Sequence, residues 1–70
     1  MKVEPIYRKV GARIKEMRIA QKRSQQWLAD ETGTARTSIA NFETGRQRLM
    51  LHHIENAAKA LRGKIADLWG

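Results

Sequence analysis

Three side chains within the six residues 36–41 have hydrogen-bonding or apolar shapes that match nucleobase edges. Arg36 carries a planar fork of donors that fits guanine O6 and N7, Asn41 can pair with adenine N6 and N7, and the Thr37 methyl can meet a thymine methyl. Ser38 and Ala40 lie beside them with shorter reach. Other chemistries find little support. No nucleophile, carboxylate pair or phosphate-cradling loop stands at usable spacing, so catalysis is not expected. His52 and His53 are adjacent, which faces them in different directions on a helix, and no third ligand is suitably spaced. They read as surface histidines, and no metal site is expected. Met1, Met17 and Met50 form no stripe, and no cofactor follows from them.

The charge balance points the same way as these side chains. Fourteen Lys and Arg face seven Asp and Glu, a formal charge of +7 on 70 residues. Self-repulsion of this size gains nothing for folding, so a polyanionic partner is implied. Charge alone leaves nucleic acid, an anionic membrane and an acidic protein as candidates. The absence of cysteine excludes a disulfide framework and fits a reducing compartment. No stretch approaches the roughly 20 apolar residues that span a bilayer, and residues 1–7 lack the apolar core of a signal peptide. A soluble, cytoplasmic chain with no membrane partner is the expectation. Its length allows one domain, 1–70, of marginal stability.

The elements that must position Arg36 and Asn41 follow from apolar spacing. Apolar residues recur at steps of three and four, β-branched runs are absent and Pro5 is the one proline, so the fold class is all-α, a compact bundle of five short helices. The first is predicted over 6–21, with Ile6, Val10, Ile14 and Met17 inward and Arg8, Lys9, Arg13, Lys15 and Arg18 around them. Pro5 suits its first turn. Ser24 is a good N-cap for a second helix over 25–31, which turns Leu28 and Ala29 inward. Gly33 stands where a left-handed residue can end it. A third helix follows at once, from 35 or 36 to 43, with Ile39 and Phe42 as core contacts and Gly45 closing it in the same way. Two short helices joined by a tight glycine turn make a helix-turn-helix over 24–45. A fourth helix over 51–62 should bury Leu51, Ile54, Ala58 and Leu61, and a last one spans 65–69. One continuous amphipathic helix of the membrane-active kind is contradicted by Gly33 and Gly45.

Read together, Arg18, Ser24, Gln25, Leu28, Ala29, Gly33, Ser38, Ile39, Phe42, Glu43, Gly45, Leu51, Ala58, Leu61 and Leu68 resemble the lambda-repressor-like, or Cro and repressor, helix-turn-helix family. The likeness covers residues 10–69 without an insertion. It implies that 36–43 is a recognition helix lying in the major groove, with Arg36, Thr37 and Asn41 directed at base edges and Ser38 and Ala40 nearby. It implies a phosphate contact for Gln25 at the start of helix two, where outward amides and the helix dipole favour an anion. It further implies a partly buried ion pair between Arg18 and Glu43. Arg46 and Arg48, in the loop after Gly45, should follow the phosphate backbone together with Arg13, and so supply affinity rather than sequence preference.

The chain departs from the family pattern at several turns. Lys22 stands where a glycine often ends helix one, Arg23 replaces an apolar residue, and Ala35 replaces the usual Ser or Thr cap, although Thr34 can shift that cap by one residue. Leu49 and Met50 replace a Pro-Ser start to helix four, and Arg62, Gly63 and Lys64 blur the turn before the last helix. Each lost cap costs about 1 kcal/mol.

The expected function is that of a sequence-specific, double-stranded-DNA-binding transcriptional regulator, a repressor or autoregulatory controller. One such domain reads few base pairs, so a homodimer on a two-fold operator is expected, with recognition helices about 34 Å apart. The last helix should supply the dimer seam through Trp69, with Leu68 or Ile65. Trp27, where the family commonly has an acidic or polar residue, keeps an alternative open. That alternative is an antitoxin-like module that chiefly binds a protein partner, with DNA binding secondary.

Overall fold

The computed structural model describes residues 5–69, with side chains as far as Leu68. Five helices follow in order: α1 Pro5–Ala20, α2 Gln25–Thr32, α3 Arg36–Glu43, α4 Leu51–Ala60 and α5 Ile65–Trp69. No strand occurs among the described residues. α1 packs on α3 and α5, α2 packs on α3 and α4, and α4 closes on α5. The core is formed by Val10 and Ile14 of α1, Leu28 and Ala29 of α2, Ile39 and Phe42 of α3, Ile54, Ala57 and Ala58 of α4, then Leu61 and Leu68. The helical apolar spacing thus resolves into one shared interior, with α3 held on one side by α1 and on the other by α2.

Three expected core positions are placed differently. Ile6, in the first turn of α1, is 39% exposed, and its neighbour Tyr7 packs against the core instead. Leu51 is 62% exposed because the loop before α4 already delivers Leu49, which is 4% exposed, into the interior. Met17 is half-buried at the margin of the core rather than inside it.

The turns explain how the chain manages with unusual capping residues. Lys22 and Arg62 take the left-handed conformation at φ 56° and φ 57°, a strain of roughly 1–2 kcal/mol for a side chain other than glycine. Each is compensated by paired backbone bonds that close the helix end. Arg23 N donates to Arg18 O at 3.0 Å and Lys22 N to Ile19 O at 2.9 Å, while Gly63 N donates to Ala58 O at 2.8 Å and Arg62 N to Lys59 O at 3.1 Å. α5 forms despite the blurred turn before it, because Asp67 Oδ2 accepts from Lys64 N at 2.7 Å.

α4 begins with Met50, whose side chain makes no cap bond. His53 supplies part of the missing cap, since its Nδ1 accepts from Met50 N at 3.0 Å. Its ring lies 4.8 Å from that of Phe42 and 4.2 Å from that of His52. An accepting Nδ1 places the ring proton on Nε2, and a second proton removes the acceptor. Burial, and next the charge of His52, lower the His53 pKa below the usual imidazole value. The unfolded chain therefore binds the proton more readily than the folded one, and stability rises with pH. The His53 contribution is complete above about pH 6.5 and is lost as the pH falls below it. Thermal unfolding between pH 7.5 and 5 is expected to show a falling Tm on acidification, with a shallower fall in His53→Ala. An identical pH slope in the variant would remove His53 as the cause.

Candidate nucleic-acid interface

The helix-turn-helix is built by local bonds that its sequence specifies. Ser24 is extended at φ −83° and ψ 164°, and its Oγ accepts from Trp27 N at 2.9 Å. At the other end of α2, Gly33 sits at φ 68°, and Thr34 N donates to Ala29 O at 2.9 Å. The Thr32 hydroxyl donates to Leu28 O at 2.8 Å and lies 2.6 Å from the Thr34 hydroxyl, which ties the turn down. Ala35 then starts α3 without a side-chain cap, and Thr34 does not replace it. α3 ends at Thr44, with Gly45 at φ 74° and Arg46 N donating to Asn41 O at 2.9 Å.

α3 buries Ile39, Phe42 and Glu43. At 100° per residue, Thr37, Ala40 and Asn41 lie away from that buried face, and Arg36, about 20° around the helix from Glu43, stands at its exposed edge. Arg36 and Thr37 are exposed, while Ser38, Ala40 and Asn41 are half-buried. The side chains with base-matching shapes therefore lie together on the outer surface of a helix whose inner surface is locked into the core. Arg46 and Arg48 are exposed in the loop that follows.

Behind α3 stands the buried ion pair. Arg18 Nε donates to Glu43 Oε2 at 2.7 Å and Arg18 Nη2 to Glu43 Oε1 at 3.0 Å, a bidentate geometry. Arg18 is 9% exposed and Glu43 5%. The hydrogen bond to Glu43 holds the Arg18 guanidinium above its ordinary pKa against the opposing effect of burial. Arg18 Nη1 also donates to Arg23 O at 2.7 Å, so one guanidinium joins α1, the α1–α2 turn and α3. Gln25 adds to this group, with Nε2 donating to Glu43 Oε1 at 3.1 Å and Oε1 accepting from Arg36 Nη1 at 3.3 Å.

Not every expected site residue joins the interface. Arg13 is engaged at the α1–α5 seam, donating to Asp67 O at 2.9 Å and pairing with Glu16 at 3.2 Å. Its guanidinium joins α1 to α5 while its side chain stays half-exposed. Leu68 is fully buried within its own core, so it offers no surface to a second chain. Ile65 is half-buried against that core, and the side chain of Trp69 lies outside the described residues. Trp27 is half-buried, with the Arg23 guanidinium 4.5 Å above its ring. It forms the edge of the core under a cation–π lid rather than a free aromatic surface. One structural residue carried no reading at all: Gly11, buried in α1 where α1 meets the backbone of α3. A glycine inside a helix costs about 1 kcal/mol against alanine, and that cost is the signal for a packing reason.

Among the described residues no three His, Cys, Asp or Glu side chains come together as metal ligands, and no helix is long and apolar enough to cross a membrane. What the fold and this surface define is a helix-turn-helix domain of the DNA-binding class. The helix-turn-helix family model matches residues 14–68. The chain belongs to that family, of the Cro and repressor (XRE) type, and is a DNA-binding transcriptional regulator. The restriction-modification controller protein C.AhdI from Aeromonas hydrophila superposes with a TM-score of 0.85 at 32% identity, over 89% of this chain and 94% of that one. The apo form of the competence regulator ComR from Streptococcus vestibularis gives 0.83 at 29% identity, over 91% of this chain and 22% of that one. The clp gene regulator ClgR from C. glutamicum gives 0.84 at 23% identity, over 93% of this chain and 86% of that one, which shows the common fold. No curated protein matches the chain in sequence.

Proposed function

We propose that this chain regulates transcription by binding a two-fold operator as a homodimer, with α3 in the major groove and Arg36, Thr37 and Asn41 at the base edges. The observation that carries it is the outer face of α3, where these side chains stand together on a helix anchored from behind by Ile39, Phe42 and Glu43. Exposed Arg46 and Arg48 supply sequence-independent attraction to phosphates. The 32% likeness to a restriction-modification controller protein favours a controller role, and the proposed site of action is the cytoplasm. The dimer seam is assigned to α5, through Ile65 and Trp69, since Leu68 is committed to the core. An antitoxin-like role gains no support, because Trp27 is occupied by the core and by Arg23.

Selection from a random duplex library, followed by competition binding, tests this. Arg36→Ala and Asn41→Ala are each expected to lose about 1–3 kcal/mol of preference for the selected site over a scrambled duplex. Replacing both Arg46 and Arg48 by alanine is expected to flatten the slope of log K against log salt by about 2, with base preference retained. Equal losses on selected and scrambled duplexes for Arg36→Ala and Asn41→Ala would remove both residues from base reading. Sedimentation equilibrium checks the dimer, and a strictly monomeric chain on operator DNA would overturn it.

A further inference from the structure

The loop that follows α3 meets a basic residue from a distant part of the chain. Gly45 is buried at φ 74°, and its α-carbon is covered by Arg8 from the first turn of α1. A Cβ at position 45 would run into Arg8 Cγ and stand 3.2 Å from both Arg8 Cα and Arg8 Cβ. Two demands therefore meet at this glycine, a left-handed backbone and room for the stem of an arginine. Arg8 is exposed all the same, the arrangement in which a long basic side chain lays its stem on the fold and keeps its charge in water. The next residue of the loop, Arg46, is held by its own amide, which donates to Asn41 O at 2.9 Å. Leu49 pins the loop again where it enters the core.

We infer that Arg8 is a phosphate contact, a ligand for the DNA backbone supplied by α1 beside those that Arg46 and Arg48 supply from the loop. This rests on the assignment of Arg46 and Arg48 to the backbone. Lys9 carries the same charge one residue on, which is 100° around the helix, and there it lines the cleft between α1 and α5 with Ala12, Arg13, Glu16 and Leu68. Contact with the loop, rather than basic charge on α1, is what distinguishes Arg8. Neither ion pair among the described residues draws on it. A stem already packed against Gly45 gives up less rotamer freedom when its charge docks than one that moves in water. A phosphate can be held by a point charge, so lysine should serve at position 8 as arginine does.

The slope of log K against log salt is compared for the parent, Arg8→Met, Arg8→Lys, Lys9→Met and the variant with both Arg46 and Arg48 replaced by alanine. Each is measured on the selected and the scrambled duplex, after circular dichroism has shown it folded. Methionine keeps most of the apolar stem and removes the charge. Arg8→Met is expected to flatten the slope by about 1, with the same fold loss of affinity on both duplexes. Arg8→Lys should keep the parent slope, and Lys9→Met should change it by less than about half as much as Arg8→Met. Methylphosphonate replacements, which remove the phosphate charges of the duplex one at a time, then locate the contact. At least one phosphate whose neutralisation weakens binding of the parent should be silent in Arg8→Met. Equal flattening by Arg8→Met and Lys9→Met, or a set of sensitive phosphates that Arg8→Met leaves unchanged, overturns the contact while leaving α3 and its loop as the DNA-binding surface. If the Arg46 and Arg48 replacement does not flatten the slope, the loop does not follow the backbone and the inference falls with it. Should Arg8→Met prove unfolded, Arg8→Gln takes its place and is held to the same outcomes.

Discussion

Arg18→Ala is expected to cost about 3–5 kcal/mol of folding stability, the loss typical of stranding one member of a buried ion pair. Globular domains hold roughly 0.05–0.15 kcal/mol per residue, so the loss takes much or all of the stability of this chain. Glu43, 5% exposed, would keep only the Gln25 amide as a side-chain partner. The bond from Arg18 to the Arg23 carbonyl would go as well, loosening the turn that starts α2. Urea unfolding followed by circular dichroism measures the effect, and the double replacement Arg18→Met with Glu43→Leu serves as its control. Removing both charges should recover a large part of the loss, since an apolar pair of similar volume avoids both desolvation costs. A single variant as stable as the parent would mean that Glu43 finds water or another donor and that the pair does not anchor α3.

Gly11→Ala is expected to destabilise by about 3 kcal/mol, the upper end of the overpacking range. In an open helix the same change is favourable by about 1 kcal/mol, so the tertiary contact reverses the sign. A Cβ at Gly11 would run into the Phe42 carbonyl oxygen, with the Phe42 carbonyl carbon at 2.9 Å and Glu43 Cα at 3.3 Å. These are backbone atoms of α3 and cannot rotate aside as a side chain does. The helix that carries Arg36 and Asn41 must shift, so operator affinity should fall further than the folded fraction accounts for. Calorimetry and duplex binding on one preparation measure both. A variant of equal or greater stability would show that α1 and α3 are not held at this close approach.

What the amino-acid sequence determined by itself was the set of local decisions. Ser24 caps α2 because its hydroxyl meets an amide three residues on, and Gly33 and Gly45 end their helices because a left-handed φ is open to glycine at little cost. Ile39 and Phe42 turn inward, and Thr37 and Asn41 away from them, because helical spacing leaves them no other arrangement once the helix exists. Resemblance to a known pattern added the pairing of Arg18 with Glu43, which local spacing could not supply. Contacts between elements were decided only in three dimensions. Leu49 and Leu51 are equally apolar, and the path of the loop before α4 buried the first and exposed the second. Arg13 has the same charge as Arg46 and is likewise exposed, yet the place where α5 docks put the Asp67 carbonyl beside it as a partner. Lys22 and Arg62 hold a left-handed backbone because paired bonds across the helix ends and the packing beyond them offset the strain. Gly11 and the direction of the Gln25 amide depend on how closely α1 and α2 approach α3, a distance set by the whole core and by no single stretch of chain.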